Sequence, residues 1–435
     1  MGRRKLESTL YCHMNDQFVG ALTLRLNNLS FRYSNSWLNS AFARSISVSM
    51  PLTDQEYSGD ALHAYFDNLL PDSTEVRKQI VDRLGAKSTK PFDLLAAVGK
   101  DCIGALTFST SPEPQPIPDV DIIPLNEEQI GQHIEEARRG KTLGMQHDDA
   151  FRFSLAGAQE KTALTYWQGQ WGIPVGRTPT THILKPRIIT RPGEPDLSSS
   201  VENEWFCMRV VEAMEFPVAR TKIESFNGED VLVVDRFDRK VVENKIYRLP
   251  QEDFCQALGV AGASKYEECG GPSAKDIMGI LSTSTASVSD QNTFMSAQFV
   301  YWFFAAIDGH AKNFSLSLTP RGYRLTPLYD VLSAYGFAQV GNLHPKKIKM
   351  AMAVNSKNRH YHWHTILPRH WGAHAKSVGY EPQRMDSVIT NITAKLSASL
   401  DRASEESASI SIRAEQVAET IRNGVLKALA RFRGF

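Results

Sequence analysis

The stretch from Phe299 to Asp330 constrains this chain more than any other. Nine apolar residues, Phe299 to Ile307 (FVYWFFAAI), have no polar face, so a helix made from them must be buried all round. The run then breaks into Asp308-Gly-His-Ala-Lys-Asn313. FSLSL, a turn at Thr319 to Gly322 and a return through Tyr323 to Thr326 read as a hairpin leading to Leu328-Tyr-Asp330. The expected arrangement is a buried helix that delivers a carboxylate, a loop that delivers an amide and a hairpin that delivers a second carboxylate. These are the polar parts of a phosphoryl-transfer site: one Asp takes the hydroxyl proton, while an Asn and a second Asp hold magnesium. The plainer reading is a helix C-terminus at Gly309, with Lys312 on the surface and Asp330 in a turn. Against it, a carboxylate directly after a wholly apolar helix has no structural need to be there.

The surrounding chain has the layout such a site requires. Residues 1–110 read as an α/β subdomain, with a helix capped by Asp72 or Ser73 and a strand over Cys102 to Phe108. Residues 111–124 read as a linker, because Pro recurs at every second position from Pro112 to Pro118 and stiffens the backbone. Residues 125–250 are strand-rich, and residues 251–435 read as helical apart from a loop at 282–289 and the hairpin after Asn313. This is an α+β, bilobed, protein-kinase-like arrangement: a β-rich N-terminal lobe with an extra N-terminal α/β subdomain, and an all-α C-terminal lobe carrying the catalytic and magnesium-binding loops. The net charge of +1 gives the molecule no overall field that would select a partner. The five cysteines (12, 102, 207, 255 and 269) form no CxxC pair and read as reduced thiols. MGRRKLESTL lacks the apolar stretch of a secretory leader, and nine apolar residues are too few to span a bilayer, so a cytoplasmic protein without membrane contact is expected.

Lys185 ends a predicted strand just before Pro186, and the helical pattern after it carries Glu202 and Glu204. A strand lysine paired with a helix glutamate is the phosphate-binding device of kinases; the alternative is a surface lysine beside an amphipathic helix. Ser154 to Lys161 (SLAGAQEK) is a run of small residues whose backbone N–H groups either cradle phosphates or close a plain β-turn. His310 reads as packing for its loop. From Val331 to Tyr380 there is no Asp or Glu, yet the stretch holds Lys346, Lys347, Lys349, Lys357, Arg359, Arg369 and Lys376. It is either a solvated basic face or a surface that meets phosphates. His360, His362 and His364 alternate, and His370 and His374 are one helical turn apart, but no Cys or Glu stands at a matching zinc spacing.

The runs FSLAGAQEKTAL, THILKP, VDRFDR, RLPQEDFCQALG, DGHAKNFSL and LTPLYDVLSA resemble the HipA family of bacterial toxin kinases, as do FDNLLPDS and VGKDCIGAL nearer the start. The resemblance runs from about residue 9 to about residue 430. It implies an ATP- and Mg2+-dependent serine/threonine protein kinase that is the toxin of a type II toxin–antitoxin pair. The implied partners are a helix-turn-helix antitoxin dimer, operator DNA bound through the complex, and a protein substrate of the translation machinery, glutamyl-tRNA synthetase first among them. It implies Asp308 as catalytic base, Asn313 and Asp330 as magnesium ligands and Lys185 on the ATP phosphates. Leu155, Ala156, Gly157, Ala158, Gln159, Glu160 and Lys161 would cover those phosphates. Val234, Asp235 and Phe237 would form the adenine hinge, and His310, Lys312, Asn313, Tyr329 and Asp330 would line the nucleotide site. Ser154 matches the autophosphorylated serine, whose phosphate would add about two negative charges and switch the enzyme off. Lys376 is the candidate DNA contact. Two other readings are a small-molecule phosphotransferase, for which the N-terminal module has no use, and a non-enzymatic DNA-binding corepressor, for which intact Lys185, Asp308, Asn313 and Asp330 are not needed.

If the acid-free stretch touches DNA, neutralising Lys346, Lys347 and Lys349 lowers the salt slope of operator binding by about one for each phosphate that is no longer neutralised. Titrations across salt concentrations measure this, and an unchanged slope removes the three lysines as phosphate-binding groups.

Overall fold

A computed structural model describes residues 7–114, 116–139, 161–189, 196–337 and 345–434. Ser154 and Leu155 to Glu160 lie outside the described residues. The chain divides into two compact units. The first is Met1–Leu184, Asp235–Ser264 and Ser315–Tyr323; the second is Lys185–Val234, Lys265–Phe314 and Arg324–Phe435.

In the first unit an antiparallel sheet runs in the order Tyr57–Ser58, Asn28–Tyr33, Gln17–Arg25, Glu7–Met14, Leu106–Ser109. Alternation decides its faces: Leu10, Cys12 and Met14 point inward from one strand. They share a core with Phe31, Trp37 and the helical residues Leu62, Phe66 and Leu94. Of the two expected caps the helix Thr74–Leu84 uses Ser73, whose hydroxyl accepts from Val76 N, and it ends at Gly85 in the left-handed region. The strand expected over Cys102 to Phe108 is shorter, Leu106–Ser109, because residues 101–104 are used elsewhere. A second antiparallel set runs Ile122–Pro124, Gln170–Pro174, Thr162–Trp167, His182–Pro186. The last of these strands ends on Lys185 and Pro186.

What occupies residues 101–104 is a buried charge cluster that the sequence did not announce. Asp101 and Asp238 face Arg236, Arg239 and Arg248, and all five side chains are buried. Arg236 Nη2 lies 2.8 Å from Asp238 Oδ2, and Arg239 Nη2 lies 3.0 Å from Asp101 Oδ1. Thr180 Oγ1 donates to Asp101 Oδ2 at 2.6 Å, and Gly104 N donates to Asp238 Oδ2 at 2.7 Å. Burial alone would raise the Asp101 pKa, but Arg239, Arg236 and Arg248 outweigh it and hold the carboxyl well below its ordinary value. The excess guanidinium donors end on the carbonyls of Cys102, Gly104 and Thr180. A buried ion cluster persists only when every member is paired in this way. VGKDCIGAL and VDRFDRK are thus two sides of one cluster.

The second unit holds the helices Ser200–Ala213, Ala274–Leu281, Ser287–Phe303, Pro368–Ser377, Pro382–Ala408 and Ile412–Arg433. It also holds, up to Val234, the hairpin of Thr221–Phe226 with Glu229–Asp235, closed by Asn227 and Gly228, both at positive φ. The apolar run is buried as expected: Phe299, Trp302 and Phe303 pack on one another and on Phe432 and Trp371. Three local expectations are corrected. The helix does not continue to Ile307 but ends at Phe303. Ala305, at φ 47°, turns the chain; its N–H bonds Trp302 O while Ala306 N bonds Tyr301 O. That pair of bonds is a Schellman stop built on alanine instead of glycine. The segment 282–289, expected as a loop, already enters this helix at Ser287. The basic stretch, read as helical, contains a hairpin of Lys349–Asn355 with Arg359–His362, where Met350 to Val354 are all buried.

Glu252, fully buried on the short strand Gln251–Asp253, gives a pH prediction. Its Oε1 accepts from Val48 N at 2.7 Å, and its Oε2 has no hydrogen-bond partner among the described residues. Burial pushes its pKa up to about 8 from an ordinary 4.5. The folded state then keeps a proton that the unfolded chain gives up, so this stability is complete below pH 4.5 and is lost as pH rises through 8. Glu252→Gln should remove a decline on the order of a few kcal/mol between acid and alkaline pH. Urea unfolding across pH measures it; matching curves for the variant and the natural chain would contradict it.

Candidate active site

Lys185 is the first residue of the second unit and is almost completely buried. Its ammonium donates to both carboxylate oxygens of Glu204, at 2.8 and 3.0 Å, and to Asp330 Oδ1 at 2.7 Å. Burial works against the charge, but the Asp330 and Glu204 carboxylates outweigh it and raise the Lys185 pKa. The ammonium is therefore permanent at neutral pH. The geometry also separates two glutamates that sequence alone left equivalent. Residues two apart on a helix do not share a face. Glu204 meets Lys185, while Glu202 meets Arg187, at 2.5 Å. Arg187 in turn reaches Asp230 on the neighbouring hairpin, at 2.8 Å.

Asp330 is delivered by backbone. Leu328 bridges in parallel to Val218, with Leu328 N bonding Pro217 O and Ala219 N bonding Leu328 O, both at 2.8 Å. Asp330 itself sits at φ 61°, a left-handed conformation that non-glycine residues adopt at a cost. Such strain belongs to a side chain whose direction matters.

Asp308 stands on the loop after the Schellman stop, with its side chain 40% exposed. Tyr266 donates its hydroxyl to Asp308 Oδ1, and Asn313 Nδ2 donates to Asp308 O at 2.8 Å. Residues 311–313 form one 3₁₀ turn that buries Lys312 and Asn313. Gly309 is required by packing: a Cβ there would lie 2.7 Å from the Tyr301 ring. His310 is buried edge-on against Tyr266. Burial lowers its pKa, with Lys265 adding to the fall and the Asp308 and Asp330 carboxylates opposing it. The imidazole is neutral at pH 7, and it senses both carboxylates. Among the described residues its two ring nitrogens have no hydrogen-bond partner, Nε2 lying 3.4 Å from Asp308 Oδ1 without bonding it. Tyr329 donates its hydroxyl to Lys312 O at 2.9 Å, closing the 3₁₀ turn onto the Asp330 segment.

Lys185, Asp308, His310, Lys312, Asn313, Tyr329 and Asp330 therefore gather in the second unit. Val234 and Asp235 end their strand, Asp235 Oδ1 lies 3.2 Å from His182 Nε2, and Phe237 is half-buried in the turn that follows. Arg236, between them, turns its side chain into the buried charge cluster and its N–H onto Thr181 O. Lys161 precedes the strand Thr162–Trp167. Lys376 is exposed on the helix Pro368–Ser377. His360 and His370 stack with centroids 4.1 Å apart, and His374 Nδ1 accepts from Asn355 N. Tyr266, bonded to Asp308, and Lys265, whose charge acts on His310, stand beside the candidate residues and were not legible in the sequence, because an isolated Lys-Tyr pair far from the motifs carries no spacing signal.

The donor set fits a magnesium nucleotide. Among the described residues no group of three or more His, Cys, Asp or Glu stands ready to cage a metal ion. Magnesium, however, takes only one or two protein ligands when substrate phosphates supply the rest. Asn313, whose NH2 is committed to Asp308 O, would offer Oδ1, and Asp330 would offer its carboxylate.

Known proteins resemble this chain along most of its length. Residues 10–109 match the family model described as the HipA N-terminal domain, and residues 153–400 match the HipA-like C-terminal domain. The kinase-designated protein Y4mE of Sinorhizobium fredii is 35% identical over 350 residues, covering 78% of this chain and 79% of its own. The serine/threonine-protein kinase toxin HipA of Shewanella oneidensis is 28% identical over 342 residues, covering 75% of each. The solved HipA chain from the S. oneidensis HipA, HipB and operator DNA complex superposes with a TM-score of 0.82 at 23% identity, over 98% of both chains. That likeness gives the fold: mixed helix and sheet, kinase-like.

Lys185→Met would leave the Glu204 and Asp330 carboxylates without their shared counter-ion and should cost about 3–5 kcal/mol of stability. Equilibrium urea unfolding checks this. A loss within about 0.5 kcal/mol, the range of an ordinary surface substitution, would contradict it.

Proposed function

This chain belongs to the HipA-like family of serine/threonine-protein kinase toxins, and from that premise we propose that it transfers the γ-phosphoryl group of ATP to a protein hydroxyl at the site formed by Lys185, Asp308, Asn313 and Asp330. The observation that carries the proposal is the buried Lys185 ammonium held jointly by Glu204 and Asp330, in the same unit as the Asp308 to Asn313 loop. Lys185 is the fixed positive charge for the ATP phosphates. The Tyr266 hydroxyl holds one oxygen of Asp308, so the other oxygen is the one that accepts the proton of the substrate hydroxyl. Asn313 and Asp330 would hold Mg2+, which when bound neutralises phosphate charge. The neutral imidazole of His310 offers nitrogens to polar groups of the nucleotide.

The finer reading rests on family resemblance. In it, Leu155 to Lys161 cover the phosphates, and Val234, Asp235 and Phe237 hold the adenine. Phosphorylation of Ser154 places negative charge beside the nucleotide phosphates and turns the enzyme off. The chain is the toxin of a type II pair. A helix-turn-helix antitoxin dimer neutralises it and binds operator DNA with it, with Lys376 as a DNA contact. The protein substrate belongs to the translation machinery, glutamyl-tRNA synthetase being the first to test. No helix among the described residues is long and apolar enough to cross a membrane.

Incubating the pure chain with Mg-ATP should place phosphate on Ser154, located by mass spectrometry. Asp308→Asn should slow that transfer by about 10²–10⁴-fold, the usual loss of a general base. Equal transfer by the variant would remove Asp308 as the base, and no transfer to any protein would remove the kinase reading.

A further inference from the structure

Resting on the phosphoryl-transfer reading above, we propose that Asn203 and Ser333 are positioning residues for that reaction, forming a buried hub that fixes the Glu204 helix, the Asp330 segment and the Asp308 loop against one another. Both side chains are fully buried. The Asn203 amide pairs with both backbone groups of one residue: Nδ2 donates to Ser333 O, and Oδ1 accepts from Ser333 N, each at 2.8 Å. Ser333 Oγ then donates to Phe304 O at 2.7 Å and accepts from Tyr335 N at 3.1 Å. Phe304 is the C-cap of the helix Ser287–Phe303, and Ala334 N adds a second bond, to Ala305 O, at 3.3 Å.

The three points of this hub are spaced along the chain as the site is. Asn203 is adjacent to Glu204. Ser333 is three residues past Asp330. Phe304 is four residues before Asp308. One side-chain amide and one hydroxyl therefore join the three backbone segments that deliver the charge-bearing groups. The packing is close enough to dictate sequence nearby: a Cβ on Gly336 would lie 2.3 Å from Asn203 Nδ2, and Ser199 Oγ donates to Gly336 O at 2.8 Å. The helix Ser200–Ala213 is buried along most of its length. Apolar side chains would fill this space with no polar group to desolvate, but they would not set the register of three segments. An amide paired with both backbone groups of one residue does. The hub touches neither nucleotide nor substrate; it acts through the residues it places.

Two variants separate the arms. Ser333→Ala keeps the Asn203 pairing, which uses backbone atoms, and cuts only the link to Phe304 and the Asp308 loop. Its rate of phosphate transfer from Mg-ATP, read as labelled protein plus released inorganic phosphate, should fall about 10- to 100-fold per folded molecule, the scale of a small misplacement. Its affinity for Mg-ATP should stay at the natural value. Asn203→Asp keeps the shape and the acceptor but loses the donor to Ser333 O, so it should raise the Mg2+ concentration needed for half-maximal rate. A merely structural role would lower thermal stability and leave the rate per folded molecule and the Mg2+ dependence unchanged, and that result overturns the inference. Failure of both variants to fold would also overturn it, by assigning the hub to folding alone. Absence of transfer by the unsubstituted chain would remove the phosphoryl-transfer reading itself. Natural transfer with unaffected variants would remove only the role of Asn203 and Ser333.

Discussion

One ammonium shared by two carboxylates organises the second unit. Lys185 lies at the end of a strand, Glu204 on a buried helix, and Asp330 on a segment that the parallel bridge at Leu328 presents. Desolvating three charges costs several kcal/mol per ion, and Coulomb attraction repays it only when geometry and partners are complete. Around Lys185 they are nearly complete, but with an excess of negative charge, and Asp330 keeps a quarter of its side chain exposed. A site with that imbalance suits an added cation.

The other buried cluster shows the opposite balance. Asp101 and Asp238 are outnumbered by Arg236, Arg239 and Arg248, and the surplus donors are closed off by carbonyls of the same unit. The paired members fasten residues 101–104 to residues 236–248. Both clusters draw on motifs that look alike in sequence, charged residues at a strand end. The difference lies in the sign of the surplus and in whether main-chain carbonyls take up its donors.

Much of the candidate site was legible in the sequence because its groups sit on short, strongly patterned segments. The apolar run before Asp308, the five-residue step to Asn313 and the strand ending in Lys185-Pro186 all act locally. What was not legible depends on distant pairs. Nothing in the sequence distinguished Glu202 from Glu204, because helix phase relative to Lys185 is set by packing. Tyr266 reaches Asp308 across 42 residues and Ser333 reaches Asn203 across 130, and no spacing rule connects such pairs. The helix end at Phe303 was missed because Ala305, and not glycine, takes the left-handed turn. The hairpin Lys349–Asn355 with Arg359–His362 was read through its surface charge; its apolar residues Met350 to Val354 carried the strand signal.

Isothermal titration of the full chain with ATP, in magnesium and in chelator, tests the central assignment most directly. If Lys185, Asn313 and Asp330 are the phosphate and metal groups, ATP binds in a magnesium-dependent way, and Asp330→Asn abolishes the magnesium dependence. ATP binding indifferent to both magnesium and Asp330→Asn, or no ATP binding at all, would contradict it.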